Sequence, residues 1–185
     1  MKVKEVMLIC ARLLKEENAV KYLTGEAASD VSEAQRFCDD LIRFYDMTAE
    51  ELACEYFPLE KLEEVSSNGK IKISSLEKTA IEIVSVEDEF GNKLPYKLIN
   101  DSLETQTGNV KVKYRYKPEP AKEDDECPFS ALPGGYVTAY AMAAEYCLEN
   151  GLTGEASVWQ NKYSAAIRGR AAERRRLTIK ARRWG

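Results

Sequence analysis

Paired carboxylates are the side chains in this 185-residue sequence that could perform acid-base chemistry. Glu63-Glu64 and Asp39-Asp40 each place two acids side by side. Adjacent residues on a helix or a strand point in different directions, so neither pair can converge on one substrate. The sequence also contains no histidine, which removes the commonest general base and the usual partner of a serine or cysteine nucleophile. We therefore expect solvated surface carboxylates and no enzymatic activity.

Other residues that could bind a metal or a cofactor lack the necessary spacing. The glycines at Gly134-Gly135 and Gly151-x-x-Gly154 do not follow a strand and have no phosphate-binding lysine, so they indicate helix ends rather than a nucleotide site. The cysteines are odd in number and far apart, which favours reduced, buried side chains over zinc ligands or disulfides. We expect no cofactor and no metal. The five cysteines are Cys10, Cys38, Cys54, Cys127 and Cys147.

Basic residues are concentrated at the C-terminus. Residues 168–185 hold eight Lys or Arg and one Glu, so the formal net charge of −4 for the whole chain leaves −11 on residues 1–167. Such a separation of charge indicates a partner, because a basic arm on an acidic body can hold either phosphate groups or an acidic protein surface. A solvated, frayed helix end is a third interpretation of the same residues.

Helices are predicted at both ends of the chain. In residues 1–59, apolar residues recur at three- and four-residue steps, which predicts one helix over residues 3–23 and a second from Asp30 to Pro58 with a kink at Met47-Thr48. Residues 132–176 show the same periodicity in two further helices, separated by Asn150-Gly151. These four helices are enough for one small bundle.

Residues 60–118 change to an alternating pattern that is typical of β-strands. Asn68-Gly69, residues 88–92 and residues 107–109 are turn signals, and between them lie five or six short strands. Lysines alternate with apolar residues, so one face of the sheet is expected to contact water. The prediction is a small antiparallel sandwich or barrel.

The remaining segments are a linker and an arm. Residues 119–131 contain two prolines and four consecutive acids, which predicts a solvated connection that buries nothing. Residues 177–185 alternate with period two and are expected to form an extended basic arm.

The predicted fold class is α+β: a small helical bundle from the N- and C-terminal helices, with an inserted antiparallel β module and a basic C-terminal arm. No membrane anchor or secretory signal is indicated, so we expect synthesis in a cytoplasm.

A nucleic-acid-binding module is one function that fits these residues. Tyr114 and Tyr116 lie beside Lys111, Lys113 and Arg115 in the last strand, which resembles a stacking platform for single-stranded nucleic acid. The basic arm would then lie along phosphates. Tyrosines that share a face of a half-buried strand are also common in cores and interfaces.

The order of parts resembles the head-tail connector or adaptor proteins of tailed bacteriophages and prophages. The resemblance is carried by an N-terminal helical pair that leads into Glu55-Tyr-Phe-Pro58-Leu59, and by a strand module with Asn68-Gly69-Lys-Ile and Asp88-Glu-Phe-Gly-Asn-Lys-Leu-Pro-Tyr. Leu132-Pro-Gly-Gly-Tyr136 then opens a helix rich in Tyr and Ala, and a last helix over residues 156–176 ends in the basic extension.

The resemblance implies a structural protein of the virion neck, made in the cytoplasm of the bacterial host. Such proteins form a homo-oligomeric ring, commonly of twelve copies, that joins the portal protein to a tail or stopper protein. Double-stranded DNA passes through the ring without being held. The C-terminal arm would reach into the portal or across to a neighbouring subunit.

The charge pattern is compatible with that role. An acidic wall repels the phosphate backbone, whereas a basic wall would bind several phosphates and stall the passing duplex. We therefore expect a protein partner for the arm, with arginines on acidic surface and Trp184 or Ile179 as apolar anchors. The expected partner-binding residues are Arg174, Arg175, Arg176, Ile179, Arg182, Arg183 and Trp184.

Overall fold

The computed structural model describes the backbone of residues 1–176 and the side chains of residues 1–170. The chain is α+β and divides into two compact units. The helical unit combines Met1–Ala49 with the chain from Pro120 onward, and the β unit is the segment Glu50–Glu119 between them. The described residues contain five α-helices: α1 Val3–Leu14, α2 Glu17–Thr24, α3 Val31–Glu51, α4 Gly135–Glu149 and α5 Thr153–Arg176.

The N-terminal helices differ from the prediction at two points. The helix predicted over residues 3–23 is two helices, because Lys15 adopts the left-handed conformation at φ 61° and its N–H bonds back to the carbonyls of Ala11 and Arg12. The predicted kink at Met47-Thr48 is absent: α3 continues to Glu51 and is followed by a π-helical turn over Leu52–Tyr56. The predicted end of α2 at Thr24-Gly25 is confirmed, with Gly25 at φ 81°.

The core of the helical unit forms where α1 packs against α4. Five side chains on one face of α1 are completely buried, and the facing residues of α4 are mostly small, so the two helices can approach closely. Leu132-Pro133 is a cis peptide and precedes α4. The side chains with no exposed surface on the two helices are Val3, Val6, Met7, Cys10, Ala11, Thr138, Ala139, Met142, Ala143 and Cys147.

The acidic segment is docked on the N-terminus of α1, which corrects the prediction of a linker that buries nothing. The N–H groups of Val3 and Lys4 donate to the carbonyls of Asp125 and Glu123 at 2.9 and 2.8 Å. These donors belong to the first turn of α1, where no intrahelical acceptor is available. Negative side chains near this end also interact favourably with the helix dipole. Cys127 and Phe129, which follow the acids, are buried.

The β unit contains one antiparallel sheet of five strands: β1 Leu59–Lys72, β2 Ala80–Glu87, β3 Lys93–Leu94, β4 Lys97–Ile99 and β5 Ser102–Tyr116. The order is β1-β5-β2-β3, and β4 also pairs with β5. No pairing among the described strands joins β1 to β3, so this open sheet replaces the predicted sandwich or barrel. The long strand β5 is central because it pairs with three others.

Two predicted turns lie inside long strands, beside one shift in register. Asn68-Gly69 lies within β1, opposite Thr107-Gly108 in β5, and the register shifts there between Asn68 and Lys70. Gly69 and Gly108 have φ of +98° and +123°. Positive φ of this kind is found in bulges as well as in hairpin turns. The predicted short strands on either side are therefore continuous. The turn predicted at residues 88–92 is confirmed, since Asp88 accepts hydrogen bonds from the N–H groups of Phe90 and Asn92.

Alternation along the strands gives the β unit its own core. One face of β5 contributes Val110, Val112 and Tyr114, while the residues between them lie on the opposite face. The expectation that one face contacts water is therefore confirmed. The buried cluster consists of Ile71, Leu76, Ile83, Val86, Leu103, Val110, Val112 and Tyr114.

Replacing Leu103 with Ala should destabilise the β unit by about 2–5 kcal/mol, because Leu103 is 1% exposed and its removal leaves a cavity. Leu98 is its direct cross-strand partner in β4 and is 49% exposed. Leu98→Ala is therefore the matched control and should cost less than about 1 kcal/mol. Urea unfolding of the two variants gives both values. Equal losses would contradict the burial assigned to Leu103.

Candidate functional site

The outer face of the sheet carries a row of cations between two rows of acids. Lys113 Nζ lies 2.7 Å from Glu60, and Arg115 Nη1 lies 2.5 Å from Glu82. Lys111 completes the central row and lies 3.5 Å from Glu64. Each of these cations is paired with an acid of a neighbouring strand. Phosphate binding at this face would have to replace those pairs, so the face is a poor binding site for a nucleic acid.

Tyr114 is a core residue, which corrects its predicted role in base stacking. Its side chain has no exposed surface. Its hydroxyl donates to Glu63 Oε2 at 2.6 Å and accepts the backbone N–H of Lys78 at 3.3 Å. Tyr116 is half-buried and packs against the same cluster. Neither ring forms the exposed platform that stacking requires.

The structure separates both carboxylate pairs, as their adjacency predicted. Glu63 bonds to Tyr114, while Glu64 pairs with Lys111 on the other face. Asp40 bonds to Arg43. These acids hold neighbouring side chains in place and do not form a shared reaction centre.

Helix α5 contacts the rest of its unit through a narrow stripe. Ala156, Tyr163 and Ile167 are buried, whereas most of the helix between and around them is exposed. Trp159 stacks on Tyr140 of α4 at 5.9 Å, with Lys162 Nζ 4.2 Å from the Trp159 ring. The described part of α5 therefore has a large surface available to a partner.

The predicted partner-binding residues lie at or beyond the end of α5. Arg174, Arg175 and Arg176 belong to the helical backbone of α5, and their side chains lie outside the described part of the chain. The other predicted anchors lie outside the described residues altogether. They are Ile179, Arg182, Arg183 and Trp184.

An acidic groove in the helical unit is a second candidate site, and sequence analysis missed it. The groove has a volume of about 350 Å³ and lies between α2, α3 and the end of α4. Phe37, Phe44 and Tyr146 line it, and both phenylalanine rings meet Tyr146 edge to face, at 5.0 and 6.4 Å. Its charged lining consists of Glu16, Glu33, Asp40 and Glu149 with one base, Arg36.

Arg43 shows how this groove binds a guanidinium group. Its Nη2 lies 2.8 and 2.7 Å from the two carboxylate oxygens of Glu149 and 3.3 Å from Asp40. The same guanidinium lies 4.7 Å from the centre of the Phe44 ring. Hydrogen bonds to Glu149 and Asp40 raise the pKa of Arg43. Carboxylates beside an aromatic ring are the environment that arginine prefers.

No sequence motif could have identified the groove, because its acids come from three separate elements. Glu16 precedes α2, Glu33 and Asp40 lie on α3, and Glu149 ends α4. The environment of the groove raises the pKa of the Tyr146 hydroxyl. Burial is the main cause, and the nearby Glu16 carboxylate raises this pKa further. The available signal was the acidic surface of two amphipathic helices, which is also ordinary for solvated helices.

Comparisons with known proteins do not assign a family. No protein-family model matches the chain, and a search of curated proteins finds no match. Among the described residues, no three His, Cys, Asp or Glu side chains are arranged to hold a metal ion. In the same part of the chain, every helix is too short or too polar to span a membrane.

Replacing Tyr114 with Phe should change the alkaline stability of the chain. Burial, followed by the hydrogen bond to Glu63, raises the pKa of Tyr114 to about 12, against about 10 in an unfolded chain. The unfolded state thus releases this proton at lower pH, so the free energy of unfolding falls as the pH rises from about 10 to 12. Tyr114→Phe should make this fall shallower in urea titrations. An unchanged slope would contradict the buried hydroxyl.

Proposed function

We propose that the chain is a structural subunit of the head-tail connector of a tailed bacteriophage or prophage. Copies form a ring that binds the portal protein on one side and a tail or stopper protein on the other, and double-stranded DNA passes through. The helices act as a small bundle that carries the β unit as an insertion. The basic C-terminal arm fastens the subunit to another polypeptide in the virion neck.

The observation that carries this proposal is the packing of α5. The helix has 24 residues, against 15 in α4, and its described side chains, up to Arg170, are buried along a single stripe. Arg168 and Arg170, which follow the buried Ile167, are exposed. A helix that leaves most of its circumference exposed and leads into clustered arginines is well suited to bind a neighbouring protein.

The distribution of charge supports a protein partner over DNA. Residues 1–167 carry −11, which repels a phosphate backbone, while residues 168–185 carry +7. The cations of β5 are paired with acids and do not add to a basic surface. Net positive charge is therefore concentrated in a segment that can bind acidic protein surface without lining a DNA channel.

Removing residues 174–185 should abolish the joining of heads to tails and leave the fold intact, because the deletion takes away the proposed anchor and none of the buried stripe described for α5. Circular dichroism checks the fold, and electron microscopy with purified portal checks assembly. The full-length chain, assembled under the same conditions, is the control. Normal assembly by the truncated chain would refute the role of the arm.

A DNA titration separates this function from nucleic-acid binding. If the chain held nucleic acid through six or more phosphates, affinity would fall by about 10³-fold between low and physiological salt. We expect weak binding to duplex and single strands at physiological salt, because the acidic body opposes it. Fluorescence titrations at two salt concentrations measure both affinities. Tight binding with the steep salt dependence would favour the alternative function.

A further inference from the structure

The groove between α2, α3 and α4 is lined by carboxylates and aromatic side chains, which are suited to bind arginine and aromatic side chains of a partner. Glu33 accepts one long hydrogen bond from Asn18 at 3.4 Å, and Glu149 and Asp40 share the single guanidinium of Arg43. Four acids against one arginine, Arg36, leave negative charge in excess in the lining. Of the three aromatic rings there, those of Phe37 and Phe44 are buried and that of Tyr146 is half-buried. Arg43, held by Glu149 above the ring of Phe44, provides an internal example of the bound group.

The complementary segment is present in the same chain. Residues 177–185 contain Lys180, Arg182, Arg183 and Trp184 and no acid. Arginines can pair with the rim carboxylates while an indole packs on the half-buried ring of Tyr146, and both side chains are among the strongest contributors to interfaces. The opposite charges of arm and groove also favour their encounter.

The length of the chain favours the arm of another copy. Asn150 lines the groove, and α5 begins at Thr153, so the groove lies near the start of α5. The helix rises about 1.5 Å per residue, which places its end at Arg176 about 35 Å away. Nine fully extended residues span at most about 32 Å. An arm that returned along its own helix would have no residue left to occupy the groove.

We propose that the groove receives residues 177–185 of a second copy of this chain, with Arg182 and Arg183 on the rim carboxylates and Trp184 against the ring of Tyr146. The inference rests on the proposed function in that it takes a neighbouring subunit as the partner. Arm and groove are different patches, so the contact is head-to-tail. Repetition of one head-to-tail contact closes into a ring when the rotation between copies allows it.

The test uses a fluorescent peptide of residues 174–185 as the probe. The receptor is the full-length chain with Arg182→Glu and Arg183→Glu, so that its own arm does not compete for the groove. Adding Glu33→Lys to the receptor should weaken peptide binding roughly tenfold, because it reverses one rim charge. Asp39→Lys is the matched control: it makes the same charge change on the same helix, outside the groove lining, and should alter binding by less than about twofold.

A charge swap completes the test. A peptide with Arg182→Glu and Arg183→Glu should bind the Glu33→Lys receptor better than it binds the receptor with Glu33. Failure of the original peptide to bind, or equal losses with Glu33→Lys and Asp39→Lys, would overturn the inference. Rings that form on the portal although the peptide does not bind would overturn this inference alone. Peptide binding in the groove without any ring would support the inference and refute the proposed function.

Discussion

The chain leaves the helical unit after Ala49 and returns to it at Pro120. This return depends on hydrogen bonds between the returning segment and the start of α1. Met1, Val3 and Lys4 bond through their backbones to residues 123–127, and Asp46 accepts the N–H of Ala121 at 2.9 Å. These bonds satisfy the first turn of α1 and fix the point at which the chain re-enters the helical unit. In the β unit, Glu50 and Lys117 form an ion pair at 2.6 Å where the chain enters and leaves. A 70-residue insertion thus leaves the packing of α1 against α4 intact.

Charge is the second organising constraint. In the β unit, cations of the central strand are matched by acids of the strands on either side, so this surface is nearly self-neutralised. In the helical unit, acids accumulate around an aromatic groove, and the compensating cations occur at the C-terminus. The excess negative charge lies on residues 1–167 and the excess positive charge on residues 168–185. Contact between the positive segment of one chain and the negative surface of another chain would pair these opposite charges. On the basis of this separation of charge, we propose that the chain associates with other copies or partners.

The sequence predicted those features that depend on local periodicity. The end of α4 at Asn150-Gly151 and the buried face of β5 both follow from repeating apolar residues or helix-end residues. The prediction from sequence was wrong where the same residue pattern occurs in two kinds of structure. Asn68-Gly69 supplies positive φ to a bulge as readily as to a hairpin turn, and so two long strands were divided into short ones.

Other features arise only from tertiary packing. The left-handed Lys15 that separates α1 from α2 has no side-chain signal, since lysine rarely adopts that conformation. The acidic segment was assigned to solvent because of its side chains, but its backbone carbonyls are what bind α1. The groove brings together acids as far apart in sequence as Glu16 and Glu149. Long-range proximity of this kind has no local pattern from which it could be inferred.

The most direct test of the central claim is the mass of the particle that the full-length chain forms with purified portal at physiological salt, measured by light scattering and inspected by electron microscopy. The account predicts a discrete, closed assembly of several copies on the portal. A chain that stays monomeric beside the portal and instead binds DNA tightly under the same conditions would contradict it.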